Sequence, residues 1–329
     1  MTQNIPYRTT SMIESSPITI AICHYPNALK SSIYGLEELF NLANRICQEQ
    51  GVACTFATEI IEAPQALQQY KQHQFQIAIL PPSHIGHYYL TPEHELVEWL
   101  KNQHQSGCVL ASACAGAFIL AHTQVLNQRS VTTHWGLVEA FQHHFPKQTL
   151  DSNQILIDHG DVLTAGGMMS WLDLGLELVA KNAGVSVLRQ LGKTLVVDIA
   201  PRQQRYYQQF APSMTHGDQA ILSAQQQINL HFSRPITVSQ LASQVHLSPR
   251  TLQRRFSQIT GYSPNEYLQK LRIQKACDLL ETTQYSFDQI AHLVGYQDNA
   301  ACRKTFIKIM GLAPRAFRQR FMHSSVLAK

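Results

Sequence analysis

The sequence predicts an α/β domain followed by an all-α domain, and three observations support this prediction. Short apolar runs alternate with amphipathic segments over the first two thirds of the 329 residues, and a pattern of roughly 50 residues recurs near the end. Charge is also divided unevenly: from Asp218 onward 14 Lys and Arg face 6 Asp and Glu, against 12 and 16 before it. A chain of this length with 44% apolar content can build two cores.

The first domain begins with an apolar run over 18–23, which predicts a buried strand. Apolar positions spaced from Leu36 to Cys47 predict a helix, and further strands are expected near 53–57 and 76–80. Strands and helices that alternate at these lengths favour a parallel sheet with helices on both faces.

A later strand over 108–112 runs into Cys114, after which Gly116 opens a helix expected to end near Thr123. A thiol at a sharp strand-to-helix turn has the geometry of a nucleophile elbow, where the helix N-terminus favours the thiolate. The alternative is that Cys114 is simply a small residue that fits a tight turn.

The stretch between Leu195 and Gly217 lacks sustained periodicity and therefore predicts a connector. The expected organisation is an α/β domain over 17–192, a linker over 193–217 and a helical domain over 218–323. The positive charge of the helical domain predicts that this part alone meets a polyanion.

The helical domain contains an internal repeat. Thr237, Leu241, Ala242 and Val245 recur 49 residues later as Ser286, Ile290, Ala291 and Val294. Phe256, Gly261, Pro264 and Tyr267 recur 50 residues later as Phe306, Gly311, Pro314 and Phe317. Two copies of one supersecondary unit are the simplest reading of such a series.

Each copy starts with a predicted capping box, Thr237 with Gln240 and Ser286 with Gln289. A turn and a second helix follow, and in the first copy Ser248 before a proline suits an N-cap. Two helix-turn-helix units are expected over about 236–258 and 285–308, joined by a long amphipathic helix over 265–281. This arrangement places the second helix of each unit in a DNA major groove.

The predicted recognition helices carry side chains suited to reading base edges or holding phosphates. These DNA-binding candidates are Arg250, Thr251, Gln253, Arg254, Asn299, Arg303 and Lys304. The second copy has Ala300 and Ala301 where the first has Arg250 and Thr251, so it is expected to read fewer bases. The alternative is a basic helical bundle with a solvated charged face.

The motifs of the helical domain resemble the AraC/XylS DNA-binding domain over about 218–321. The matching motifs are Leu241-Ala242, the run from Leu247 to Phe256, Gly261-Tyr262-Ser263-Pro264, Ile290-Ala291, Val294-Gly295-Tyr296 and Pro314. This resemblance implies a double-stranded DNA operator as the partner, and a role in transcription regulation, as an activator.

The first domain resembles the PfpI-like, class I glutamine amidotransferase-like superfamily, in the form found in GlxA-type regulators. The matching motifs are residues 40–45, Cys114 with 116–118, 132–135, 164–167, 171–174 and 178–179. The resemblance implies a flavodoxin-like sheet. Catalytic members pair the cysteine with an acid and often a following histidine, but here Ser32 and Ala115 stand at those positions, so a non-catalytic domain is expected.

The resemblance instead implies a pocket for a small-molecule effector, for which a nitrogenous metabolite is one candidate. The predicted pocket residues are Ser32, Cys114, Ala115, His134 and Trp135, and Trp135, Tyr88 and Tyr89 could stack on a cationic amine. A homodimer through this domain is expected. The alternatives are an amidase-like or glyoxalase-like enzyme fused to a DNA-binding domain, with Glu37 or Glu38 replacing the acid, and a ligand-free dimerising or architectural domain.

Composition argues against several other classes. Seven cysteines without a C-x-x-C pair disfavour disulfides and zinc, and the histidines lack metal-ligand spacing. Gly166-Gly167 stands alone and predicts a turn rather than a phosphate loop. With no run of about 18 apolar residues and a polar start over 1–16, the expectation is a cytoplasmic protein without membrane contact, metal or cofactor.

Overall fold

A computed structural model describes residues 16–83, 85–126 and 128–322. Most of the polar start and residue 323, the last of the predicted helical domain, lie outside the described residues. The chain forms two compact units that divide between Gln204 and Arg205. The segment predicted as a linker is therefore shared between the two units, which are described separately below.

The first unit is built on one six-stranded sheet, with the strand order β2-β1-β3-β4-β6-β5. The strands are β1 (Ile18–His24), β2 (Phe56–Glu62), β3 (Ile77–Leu80), β4 (Val109–Ala113), β5 (Leu156–Asp158) and β6 (Val162–Ala165). All neighbouring pairs are parallel except β5, which runs antiparallel to β6 at one edge. The predicted parallel sheet is confirmed, with this one antiparallel strand added.

Six α-helices cover the sheet. They are α1 (Lys30–Gln50), α2 (His94–Gln105), α3 (Gly116–His122), α4 (Val138–His144), α5 (Trp171–Ala183) and α6 (Val185–Leu195). The chain steps from β1 through α1 to one side and from β3 through α2 to the other, so right-handed crossovers put α1 and α2 on opposite faces. Helices α5 and α6 pack with α1, and α3 packs with α2.

One strand prediction was wrong in position. The run over 53–57 is mostly the exit from α1, which ends at Gly51 in a left-handed conformation, while β2 begins only at Phe56. Strand β2 lies at the edge of the sheet and mixes buried with partly or fully exposed positions, among them the half-buried Glu59 and the exposed Glu62. Its polar residues weakened the apolar signal that the prediction relied on.

The second unit is helical. Its helices are α7 (Gln219–His231), α8 (Val238–Gln244), α9 (Pro249–Thr260), α10 (Pro264–Thr282), α11 (Phe287–Leu293), α12 (Asn299–Met310) and α13 (Pro314–Phe321). Two separate hydrophobic cores form, one around α8–α9 and one around α11–α12. Helix α10 contributes to both, through Leu271 to the first core and Ile273 to the second.

Candidate functional site

The first helix-turn-helix unit consists of α8 and α9. The predicted capping box is present, because Thr237 accepts from the backbone of Gln240 and the Gln240 side chain accepts from that of Thr237. His246 adopts a positive φ of 54° in the turn, and Ser248 caps α9. Leu252 and Phe256 are fully buried, which fixes the face that α9 turns outward.

The outward face of α9 presents Arg250, Gln253 and Arg254 as exposed side chains, with Thr251 half-buried beside them. Among the described residues, neither Arg250 nor Arg254 forms an ion pair. Arg255, although adjacent in sequence, points inward and binds Asp218, with its two nitrogens 2.6 and 3.2 Å from one carboxylate oxygen. In the first helix-turn-helix unit, Arg250 and Arg254 are therefore available to a partner, whereas Arg255 stabilises the fold.

Asp218 is itself the N-cap of α7, since its carboxylate accepts from the backbone of Ile221. The Arg255 guanidinium, with help from these backbone bonds, holds the pKa of Asp218 below its usual value. Arg255 was not among the residues predicted from the sequence. The signal available was its position three residues after Leu252 and one before Phe256, which places it at the border of the buried face.

The second unit repeats this plan with different surface chemistry. Asp298 caps α12, the predicted capping box at Ser286 is present, and Cys302 and Phe306 are buried where Leu252 and Phe256 stand in the first unit. Ala300 and Ala301 lie exposed at the start of the helix. Small apolar side chains on this face offer no hydrogen bonds to base edges.

The three predicted contacts of the second unit differ in their surroundings. Lys304 is exposed, whereas Arg303 lies over the Phe287 ring at 4.9 Å and approaches Asp288 at 3.8 Å. Asn299 is half-buried, and its side-chain oxygen has no hydrogen-bond partner within the described part of the chain. Arg303 is thus held against α11, and Lys304 is the freer cation.

A buried arginine links the two helix-turn-helix units. Arg272 of α10 is 8% exposed, and its guanidinium donates to the carbonyl oxygens of Phe232 at 2.7 Å and Arg234 at 3.0 Å. The guanidinium also lies 5.5 Å from the ring centre of Tyr296 in the second unit. Burial lowers the pKa of Arg272, but a guanidinium remains protonated at any physiological pH.

A close backbone approach reinforces this link. Gly295, in the turn of the second unit, has a φ of +90°, and a Cβ there would lie 2.6 Å from the carbonyl oxygen of Ser233. Only glycine allows the turn to meet the loop that precedes the first unit. The two units are therefore fixed by direct packing as well as by α10.

In the first unit of the chain, Cys114 occupies a sharp turn between β4 and α3, with a positive φ of 54°. Its N–H donates to Ala165 at 2.8 Å. A Cβ on Gly116 would lie 2.5 Å from the carbonyl oxygen of Leu80, so the helix can start here only with glycine. This is the elbow geometry that the sequence predicted.

The Cys114 thiol is closed off from solvent. The residue is 2% exposed, and burial raises its pKa to about 12 although the backbone N–H groups of Ala115 and His134 favour the thiolate. At neutral pH the sulfur is a neutral thiol, which is a poor nucleophile. Its surroundings are those of a packed core residue.

Aromatic side chains pack at the edge of the sheet where β1 and β3 end. Fully buried Tyr25 donates to the carbonyl of Pro81, and its ring stacks on Tyr88 at 5.7 Å between centres. This edge lies where the strand order reverses between β1 and β3, the usual ligand position in such sheets. The buried Tyr25 ring therefore occupies part of that position.

The predicted pocket residues differ in their burial and in their hydrogen bonds. Ser32 and Ala115 are fully buried, and the Ser32 hydroxyl donates to Leu29 at 2.6 Å within its own helical turn. His134 and Trp135 are half-buried, with their rings 5.1 Å apart. His134 Nδ1 accepts from the backbone of Gly136, and burial lowers the pKa of His134.

The other aromatic candidates and the acids lie in different surroundings. Tyr89 packs edge-on against Phe118 at 5.0 Å. Glu38 faces a groove of about 490 Å³ along α1 and α5 that contains none of the predicted pocket residues. The groove is lined by Gly35, Glu38, Leu39, Asn41, Leu42, Arg45, Trp171, Leu172 and Leu195.

Alkylation rates distinguish an inert Cys114 from a reactive one. We expect iodoacetamide at pH 8 to label Cys54, which is partly exposed, well before Cys114, because a pKa of about 12 leaves roughly one thiolate in 10⁴ at that pH. Peptide mass spectrometry over time measures both sites. Rapid labelling of Cys114 at neutral pH would favour the hydrolase alternative.

The described parts of the chain were predicted to lack membrane spans and metal sites, and two structural features bear on this. No helix there has both the length and the hydrophobicity to cross a membrane. Within the same ranges, no cluster of three or more His, Cys, Asp or Glu side chains is placed to hold a metal ion.

Two family models match the chain. The DJ-1/PfpI family matches residues 46–181, and a helix-turn-helix domain matches residues 241–320. The matches fall on the α/β unit and on the two-core helical unit respectively, as the sequence motifs predicted.

Similar curated proteins are HTH-type transcriptional regulators. CdhR of Pseudomonas aeruginosa is 29% identical over 203 residues, which cover 61% of this chain and 60% of that protein. GbdR of Pseudomonas aeruginosa is 27% identical over 70% of this chain and 62% of its own length. GlxA of Rhizobium meliloti is 24% identical over 67% of this chain and 68% of its length.

Proposed function

We propose that this chain, which joins a DJ-1/PfpI domain to an AraC-type helix-turn-helix domain, is a sequence-specific DNA-binding regulator of transcription. The observation that carries the proposal is the outer face of α9, where Arg250, Gln253 and Arg254 are exposed after a capped helix and a tight turn. Helices presented in this way read base edges in the major groove.

The two units would act together on one face of the duplex. Arg272 and the Gly295 approach fix α9 and α12 relative to each other, so little ordering is needed on binding. Recognition helices held in this way suit successive major grooves about 34 Å apart. A homodimer through the first domain would present four such units to repeated half-sites.

The two units are assigned different shares of the readout. Arg250 and Arg254 suit guanine, Gln253 suits adenine, and the methyl group of Thr251 suits thymine. In the second unit Lys304 and Arg303 would contact phosphates, and Asn299 is the candidate for base contact. The exposed alanines at 300 and 301 support a smaller share of specificity for α12.

The first domain is proposed as a non-catalytic sensor that binds a small effector and forms the dimer, in an activator that works in the cytoplasm. The buried neutral thiol of Cys114 and the internally bonded Ser32 support the absence of hydrolysis. Effector binding would have to open the position that the Tyr25 ring partly occupies. The effector can change DNA binding only if its affinity for the open conformation of the first domain differs from its affinity for the closed one.

The experiment that tests DNA recognition uses the purified full chain and the DNA upstream of its own gene, with scrambled DNA of equal length as control. We expect preference for the native DNA by at least about 10³-fold at physiological salt. Equal affinity for both DNAs across a salt series, falling steeply with salt, would contradict sequence-specific regulation, because counterion release alone gives that behaviour.

A further inference from the structure

A buried glutamine anchors the C-terminal end of the α/β unit. Gln204 is 2% exposed, and its side-chain oxygen accepts from the N–H of Trp135 at 2.8 Å. Its amide nitrogen donates to the carbonyls of Thr133 and Ser152, each at 3.0 Å. A fully satisfied buried amide of this kind holds its backbone in one position.

The loop that receives Gln204 also holds the elbow. The Thr133 hydroxyl donates to the carbonyl of Cys114 at 2.7 Å, and the backbone N–H of His134 favours the thiolate form of Cys114. Three consecutive residues, Thr133 to Trp135, therefore contact the elbow on one side and Gln204 on the other. A displacement of this loop would alter both sets of bonds.

The room for Gln204 depends on a glycine. A Cβ on Gly166 would lie 2.3 Å from the Gln204 amide nitrogen and 2.8 Å from the carbonyl of Thr133. Gly167, with a φ of +101°, makes the turn that the sequence predicted. Gly166 thus has a separate role, which is to leave the seat of Gln204 open.

Immediately after Gln204, the chain enters the helical unit. There it joins the core of the second helix-turn-helix unit. Tyr206 is 5% exposed within that core, and its hydroxyl accepts from Arg320 at 3.0 Å. The Arg320 guanidinium lies 4.9 Å from the centre of the Tyr206 ring. Arg205 lies directly against Gly311, which ends α12.

Four residues later the chain joins the other core. The ring of Phe210 meets those of Tyr262 and Tyr267 edge-on at 5.7 and 5.0 Å, and its N–H donates to Gln274 at 2.9 Å. Tyr267 and Tyr262 belong to the first helix-turn-helix core and its edge. Residues 204–210, hereafter the strap, are thus anchored at the elbow loop and at both DNA-binding cores.

We propose that the strap carries the state of the Cys114 elbow to the two helix-turn-helix units; this rests on the proposed function and names its regulation. A seated Gln204 fixes the upstream end of the strap, and Tyr206 and Phe210 then hold the second and first cores in one arrangement. An effector that moves residues 133–135 releases Gln204. The released strap holds the two cores less firmly, which lowers affinity for DNA that requires both.

Two variants release Gln204 from opposite sides. Gln204→Ala removes the side chain, and Gly166→Ala fills its seat while leaving the sequence of the strap unchanged. The matched control is Gln209→Ala, an exposed glutamine in the same strap. All are made in the full chain, and circular dichroism with thermal unfolding establishes that each folds.

The DNA probes are an operator obtained by selection from random duplexes and the same duplex with the half-site of the second unit scrambled. We expect both releasing variants to lose about fivefold or more in affinity for the complete operator, within the usual range of coupling between sites. Affinity for the scrambled-half duplex should stay unchanged. The double variant should lose no more than either single variant, because both break the same link.

The outcomes separate this proposal from the proposed function. If the unaltered chain fails to prefer the selected operator over random DNA, the proposed function fails. If the unaltered chain is specific but folded Gln204→Ala and Gly166→Ala proteins bind the complete operator like Gln209→Ala, the strap proposal is overturned alone. Equal losses on both duplexes would also overturn it, since the effect would not concern the arrangement of the two units.

Discussion

Arg272→Ala is expected to lower the unfolding free energy of the helical domain by about 3 kcal/mol, because two backbone carbonyls lose their donors and the packing of a buried side chain is lost. The carbonyls of Phe232 and Arg234 accept from the guanidinium at 2.7 and 3.0 Å. The contact with the Tyr296 ring is lost at the same time. Urea unfolding followed by circular dichroism measures the change.

The controls for Arg272 lie on the same helix. Lys275→Ala removes an exposed cation and should cost well under 1 kcal/mol. Arg272→Lys keeps the charge but cannot reach two carbonyls in a fixed fork, so it should remain clearly destabilised. If Arg272→Ala unfolds at the same urea concentration as Lys275→Ala, Arg272 does not hold the two helix-turn-helix units together.

The repeat made the helical domain the best-predicted part of the molecule. Helix starts could be predicted because Thr237, Ser248 and Ser286 act locally on the backbone beside them. The role of Arg272 could not, because its partners lie 38 and 40 residues away and depend on how the units pack. Within α10 it is simply one charged residue among apolar neighbours.

In the α/β unit, too, local features could be predicted and long-range contacts could not. Alternating apolar runs predicted the parallel sheet and the elbow at Cys114, whereas edge strand β2 was displaced by a few residues because most of its side chains are only partly buried or exposed. The burial of Tyr25 was not predicted, because the sequence does not reveal that this side chain turns inward to Pro81. Gln204 lay in a segment without periodicity, where local patterns carry no information about burial.

The adjacent pair Arg254 and Arg255 illustrates how position on a helix decides function. Successive residues differ by about 100° around the axis, so one guanidinium reaches solvent and the other reaches Asp218. Only Arg254 was predicted from the sequence as a DNA contact, and no role was predicted for Arg255. We expect Arg255→Ala to lower the melting temperature, whereas Arg254→Ala should leave it unchanged, as calorimetry can measure.

Arg254→Ala is expected to weaken binding to the selected operator by about 1–3 kcal/mol, which is about five- to 150-fold, because a bidentate contact to guanine is lost. Binding to random DNA should change far less. Arg250→Ala should behave in the same way at a different base pair of the half-site. Fluorescence anisotropy with operator variants substituted at each position measures both.

Lys304→Ala provides the matched comparison, since Lys304 occupies in α12 the position that Arg254 occupies in α9. A phosphate contact there predicts a similar loss on every sequence and a salt dependence reduced by about one charge. If Arg254→Ala instead shows this uniform loss, α9 sets register and does not read bases. Specificity would then have to come from Arg250, Gln253 and Thr251, or from the shape of the duplex.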